Sequence, residues 1–286
     1  MMRGRRFVIS ILKGLAVAII LVFFLFPLYW VITTSFKSPN DILSWPPKFL
    51  FKPTLANYLG TTTGIALGGR AARPLNITPY LINSLVIDAI STLISTIVSA
   101  MAAYSISRFK TGGSFFINWF LSLRMLPPVV LAIPLFIFFK SLGLVNTWWG
   151  LILAYLTFNI PFSTVLLIGF FNEIPTSLDE AAYVDGASKI GTFFKVILPL
   201  GAPGLAAVTI LSFLTCWGEF LLALTLTYDV YAQTVPVFLG LFITEWGILW
   251  GPMSAAAVLA IIPPVLFSLF TQRYLVKGIT LGAVKY

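Results

Sequence analysis

With 59% hydrophobic and only 9% charged residues among 286, the chain falls far short of the roughly 25% charge that a soluble domain carries. A water-covered globule is excluded, and lipid is the natural solvent. Histidine is absent and Cys216 is the single cysteine, which excludes histidine acid–base chemistry, a thiolate metal site and an internal disulfide.

Spanning a hydrocarbon core of about 30 Å takes about 20 residues of helix. Six segments have that length and apolarity, at 7–33, 80–106, 115–139, 149–171, 203–227 and 251–274. Backbone groups in lipid must be bonded within their own segment, so helices are expected. The alternating runs of about 10 residues that build a barrel do not occur. The expected fold class is therefore all-α, a polytopic membrane protein in one domain over residues 1–286. The first segment follows Arg3, Arg5 and Arg6 as a signal peptide would. Its apolar run is too long, contains Pro27 and lacks a small-residue cleavage site, so it reads as a retained helix.

Orientation follows lysine and arginine. An internal N-terminus puts Arg3, Arg5, Arg6, Lys13, Arg108, Lys110, Lys189, Lys195, Arg273, Lys277 and Lys285 inside, against Lys37, Lys48, Lys52, Arg70, Arg73 and Lys140 outside. Five of those six share the long first loop, 34–79, so both termini are expected in the cytoplasm. The net charge of +9 thus sorts by membrane side and implies no nucleic-acid partner. Trp246 and Trp250 in the last outer loop read as interfacial anchors.

Residues 172–202 then lie in the cytoplasm and hold an unusual share of the charge. Ser177 with Glu180 three residues on fits a capping box that starts a helix. Gly186 can end it by taking positive φ. Ser188 can cap a second helix with Ile190, Phe193, Phe194 and Ile197 on one face, and Pro199 should stop it. The small pair Ala181-Ala182 leaves the backbone open to a close partner. A plain connector between spans satisfies the same pattern.

Glu180-Ala181-Ala182, Asp185-Gly186-Ala187 and Ile197-Leu198-Pro199 together resemble the EAA motif of ABC importer permeases. Arg124-Met125-Leu126-Pro127-Pro128, Trp217-Gly218-Glu219-Phe220 and the closing Leu275-Val276-Lys277-Gly278-Ile279-Thr280 with Gly282-Ala283-Val284-Lys285 are similar to carbohydrate permeases of the maltose type. Gly218 departs from that pattern, where Asn is commoner. The resemblance implies a non-catalytic transmembrane subunit in a prokaryotic cell membrane. It further implies an ATPase seat at Glu180, Ala181, Ala182, Asp185, Gly186 and Ala187. The implied partners are a second, non-identical permease, two ATPase subunits carrying ATP and Mg, an extracellular solute-binding protein and a carbohydrate substrate. No G-x-x-x-x-G-K-[ST] occurs to cradle nucleotide in this chain.

Ionisable residues within spans are expensive, at about 2.5–3.5 kcal/mol on insertion scales, and face an interior or a wet cavity. Asp88, Arg124 and Glu219 are of this kind. Asp88 sits among Ser84, Ser91, Thr92 and Ser95, hydroxyls that also serve helix packing. Arg124 and Glu219 can form an ion pair, or line a translocation path with Trp217 and the Pro127-Pro128 break. An ion-coupled secondary transporter would use Glu219 or Asp88 as carrier. A membrane enzyme acting on a lipid-linked sugar would need the Asp179, Glu180 and Asp185 cluster, and a solitary channel would show itself by a leak without ATP.

Overall fold

The computed structural model describes residues 2–63, 75–245 and 247–282, with side chains over residues 10–272 of those ranges. Arg70, Arg73, Trp246 and residues 283–285 lie outside the described residues, as do the side chains of Arg3, Arg5, Arg6, Arg273 and Lys277. In chain order the helices are α1 (Met2–Ser35), α2 (Pro39–Ile42), α3 (Ala56–Thr63), α4 (Thr78–Phe109), α5 (Gly113–Met125), α6 (Pro128–Ser141) and α7 (Trp148–Asn172). There follow α8 (Ser177–Val184), α9 (Lys189–Thr192), a π-helical turn (Phe193–Ile197), α10 (Leu198–Leu200), α11 (Ala202–Trp217), α12 (Leu221–Leu226), α13 (Val235–Gly240) and α14 (Trp250–Gly282). One two-stranded hairpin, β1 (Ile243–Thr244) with β2 (Gly247–Ile248), interrupts a mostly helical protein. Among the described residues four helices are long and apolar enough to cross a membrane, and up to six spans result if each of two bent pairs counts as one.

The chain packs into two compact units, one built from residues up to Ile77 with Leu239–Ile261, the other from Thr78–Phe238 with the residues after Ile261. In the first, α1 leaves its apolar side chains exposed over residues 10–29, as a lipid-facing helix does. Its C-terminal carbonyls need partners, and Asn57 of α3 supplies them: Nδ2 donates to Ser35 O and to Lys37 O, both at 2.9 Å. Lys37 is buried, its Nζ held over the Trp30 ring at 4.1 Å, a cation–π contact that replaces part of the lost hydration. Burial holds the Lys37 ammonium pKa below its ordinary value.

In the second unit α4 packs along α7 and α11. Ser84, Asp88, Ser91, Ser95 and Ser99 recur on one buried face of α4, where small side chains let helix backbones approach. Cross-helix hydrogen bonds join the seam: Ser99 Oγ donates to Ile160 O at 3.0 Å, and Ser163 and Ser212 share one at 2.8 Å. Such bonds are worth about 0.6 kcal/mol each in membrane bundles.

Two expected spans are not single helices. The 115–139 segment bends by 96° between α5 and α6. Leu126 and Pro127 adopt extended backbone there, because a residue before proline is pushed out of the α region and proline cannot donate to the turn. The 203–227 segment ends as a helix at Trp217, breaks at Gly218–Phe220 and resumes as α12. A second bend, of 77°, separates residues 189–200 from α11. It falls at Gly201 rather than at Pro199, which sits inside α10 near its start, a position where its missing N–H is an orphan anyway.

Candidate functional site

The α8–α10 segment starts differently from the capping box expected of it. Thr176 occupies the N-cap without a side-chain bond and Ser177 is already helical. Backbone alone closes the first turn, with Glu180 N donating to Thr176 O at 3.1 Å. Pro175 fixes the approach, and Asp179 and Glu180 place negative charge at the helix start, where the macrodipole favours it.

The expected stop forms as a Schellman arrangement. Gly186 takes φ +82°, its N–H donates to Tyr183 O at 3.0 Å, and Ala187 N donates to Ala182 O at 2.9 Å. These bonds satisfy carbonyls the helix end would leave open. Ser188 caps α9 as expected, accepting from Gly191 N at 3.1 Å. The apolar stripe after it splits: Phe193 and Ile197 are buried, while Ile190 is 71% and Phe194 58% exposed. Glu180, Ala181, Asp185 and Gly186 are exposed, Ala182 and Ala187 half-buried, and Val184 stands 86% exposed beside them. All six motif residues therefore fall on one short, mostly uncovered stretch whose apolar neighbours face outward.

The opposite side of α8 is anchored. Asp179 turns inward and meets Arg108 in the last turn of α4, Nε to Oδ2 at 3.0 Å, with both side chains 5% exposed. Arg108 Nη2 also donates to Ile174 O at 2.8 Å. Tyr104, one turn earlier, donates to Asp179 Oδ1 at 3.4 Å and meets the Tyr183 hydroxyl at 3.3 Å. Removing one partner of such a buried pair costs about 3–5 kcal/mol. Sequence reasoning missed this link. Arg108 and Asp179 lie 71 positions apart, and neither residue type nor spacing announces the contact.

Of the four candidate path residues, two share a cavity. Arg124 and Glu219 line a space of about 490 Å³ with Thr157, Asn159, Phe162 and Thr215. They do not pair: the Arg124 guanidinium lies over the Phe162 ring at 3.8 Å, and the ion pairs among the described residues are Lys48–Asp41 and Arg108–Asp179. Glu219 instead caps α12, its carboxylate accepting from Leu222 N at 2.8 Å and Ala223 N at 3.0 Å. Trp217 is buried against Phe213, rings 5.6 Å apart. Asp88 is buried, and neither of its oxygens accepts a hydrogen bond from the described residues. Neither Trp217 nor Asp88 lines the cavity. No group of three or more metal-ligating side chains occurs among the described residues.

Residues 95–281 match the family of binding-protein-dependent transport system inner membrane components. The chain is 34% identical over 279 residues to the sulfoquinovosyl glycerol transport system permease SmoH of Agrobacterium fabrum, covering 96% of this chain and 93% of that protein. It is 40% identical over 263 residues to the trehalose/maltose transport system permease MalG of Thermococcus litoralis, covering 91% of each. In fold it is similar to a chain of a bacterial ABC transporter importing the acidic polysaccharide alginate, with TM-score 0.73 at 21% identity over 95% of this chain and 98% of that one. The protein belongs to the binding-protein-dependent ABC transporter permeases. It is a multi-pass inner-membrane subunit of a non-catalytic class that binds no cofactor itself and works with a binding protein and ATPases. That membership sets aside the membrane-enzyme reading of Asp179, Glu180 and Asp185.

Proposed function

We propose that this chain is one transmembrane half of an ATP-driven importer of a sugar or oligosaccharide. Both termini and residues 172–202 face the cytoplasm. A second, non-identical permease completes the path, two ATPase subunits supply ATP and Mg, and an extracellular binding protein delivers substrate. Residues 180–187 seat in the ATPase, and closure of the ATPase pair draws this surface with it. Arg124 and Glu219 border the path that then changes its accessible side.

The uncovered stretch at residues 180–187, with Val184 and Ile190 turned outward beside a charged helix start, carries this reading. A surface of that kind suits a protein groove better than water. The carbohydrate class is supported by relatives whose printed substrates are sulfoquinovosyl glycerol and trehalose/maltose. Uptake of labelled disaccharides by proteoliposomes holding the native complex tests it. Uptake is expected only with ATP inside and binding protein outside. Uptake driven by an ion gradient without ATP would replace this reading with secondary transport.

A further inference from the structure

Helix α8 has eight residues and no side-chain cap, too short to hold its shape in isolation. Side chains of α4 hold one side of it. Three α4 residues, Tyr104, Arg108 and Phe109, reach points before, within and after it. Arg108 takes Ile174 O ahead of the helix and Asp179 in its first turn. Tyr104 contacts Asp179, Tyr183 and, beyond the helix, Lys189 O at 3.4 Å. Lys189 Nζ lies over the Phe109 ring at 4.5 Å.

A buried ion pair adds little net stability over apolar residues of the same volume, and what it does supply is a fixed geometry. We infer that Arg108 is the positioning residue that locks α8 to the span α4, so that a displacement of the 180–187 surface moves α4 with it rather than rocking a loose loop. This inference rests on the proposed ATPase seat.

The test uses the native complex in proteoliposomes, with sugar taken up per ATP hydrolysed and amide exchange of residues 177–187 measured on the same samples. Arg108→Lys keeps the charge but cannot reach Asp179 and Ile174 O in the same forked manner. The double variant R108M/D179L replaces the pair with apolar volume, and Asp179→Glu keeps the carboxylate. Arg108→Lys leaves the buried Asp179 without its forked partner, so exchange in α8 should rise about tenfold or more in that variant. R108M/D179L keeps the volume and loses the fixed geometry, so uptake per ATP should fall in both variants, with Asp179→Glu close to the unaltered protein. A purely structural role would lower the amount of complex without changing the ratio. Unchanged exchange and unchanged ratio in Arg108→Lys, with Glu180→Lys impaired, would overturn the positioning role and leave the seat standing. Full transport by both Glu180→Lys and Gly186→Pro would remove the seat itself and the inference with it. If R108M/D179L does not assemble, the Arg108→Lys arm decides.

Discussion

Gly251 and Asn57 meet so closely that a β-carbon on Gly251 would lie 2.6 Å from Asn57 Oδ1. The same asparagine closes the end of α1 through Ser35 O and Lys37 O, so it cannot swing away without orphaning two carbonyls. Gly251→Ala should therefore destabilise the protein by about 1–3 kcal/mol, the usual range for overpacking. Asn57→Ala should do so by about 1–3 kcal/mol through the unsatisfied groups it leaves. Thermal unfolding in detergent reads both, and an unshifted midpoint in Gly251→Ala would refute the steric account.

Gly186 sits at φ +82°, which proline with its fixed φ near −65° cannot adopt. Gly186→Pro should break the Schellman closure and reduce sugar uptake far more than expression. Gly186→Ala should be milder, at about 1–2 kcal/mol of local strain. Glu180→Lys reverses the charge at the start of α8 and should uncouple ATP hydrolysis from uptake. Normal transport by both Gly186→Pro and Glu180→Lys would discard the seat at residues 180–187.

Arg124 lies on Phe162 while Glu219 caps α12. The exchange of the two charges, R124E/E219R, should consequently fail to rescue the single variants, because each side chain has its own partner. Glu219→Ala should loosen α12 by about 0.5–2 kcal/mol, as for other lost caps, and lower uptake. Recovery of uptake in the exchanged double variant would restore the ion-pair reading.

Hydrogen bonds from Lys48 Nζ and Ser38 Oγ, both 2.7 Å, hold the Asp41 carboxyl below its ordinary pKa. A carboxyl with a lowered folded pKa contributes stability above its unfolded value, about 3.9, and loses it as pH falls through the folded one. Asp41→Asn should thus narrow the gap in melting temperature between neutral and acidic buffer. Lys48 is exposed and Asp41 half-buried, so high salt should shrink the effect. A gap that is unchanged by the substitution would show that Asp41 does not titrate as its contacts dictate.

Features written in local sequence were legible. Apolar length marked α1, α4, α7 and α14. Ser188 and Gly186 announced a cap and a stop that depend only on nearby backbone. Breaks inside apolar runs were harder, since Pro127-Pro128 signals a disturbance without giving its angle. Gly218 through Phe220 hides a helix end within an apolar stretch whose only charged residue is Glu219. Glu219 looked like half of a charge pair because the competing acceptor role, capping α12, needs the break to be known first. The Arg108–Asp179 link was out of reach, since it joins two distant segments that only tertiary packing brings together.

The 96° elbow at Leu126–Pro127 has a bearing on solvent. Peptide groups released from a helix cannot stay bare in hydrocarbon, so non-helical backbone at that depth is tolerated only against protein or water. Leu126 and Pro128 belong to the wall of the Arg124–Glu219 space. The elbow thus sets its released peptide groups beside that space and its protein wall, and the proline kink that denies the chain a straight crossing is also what spares this stretch of backbone from facing oil.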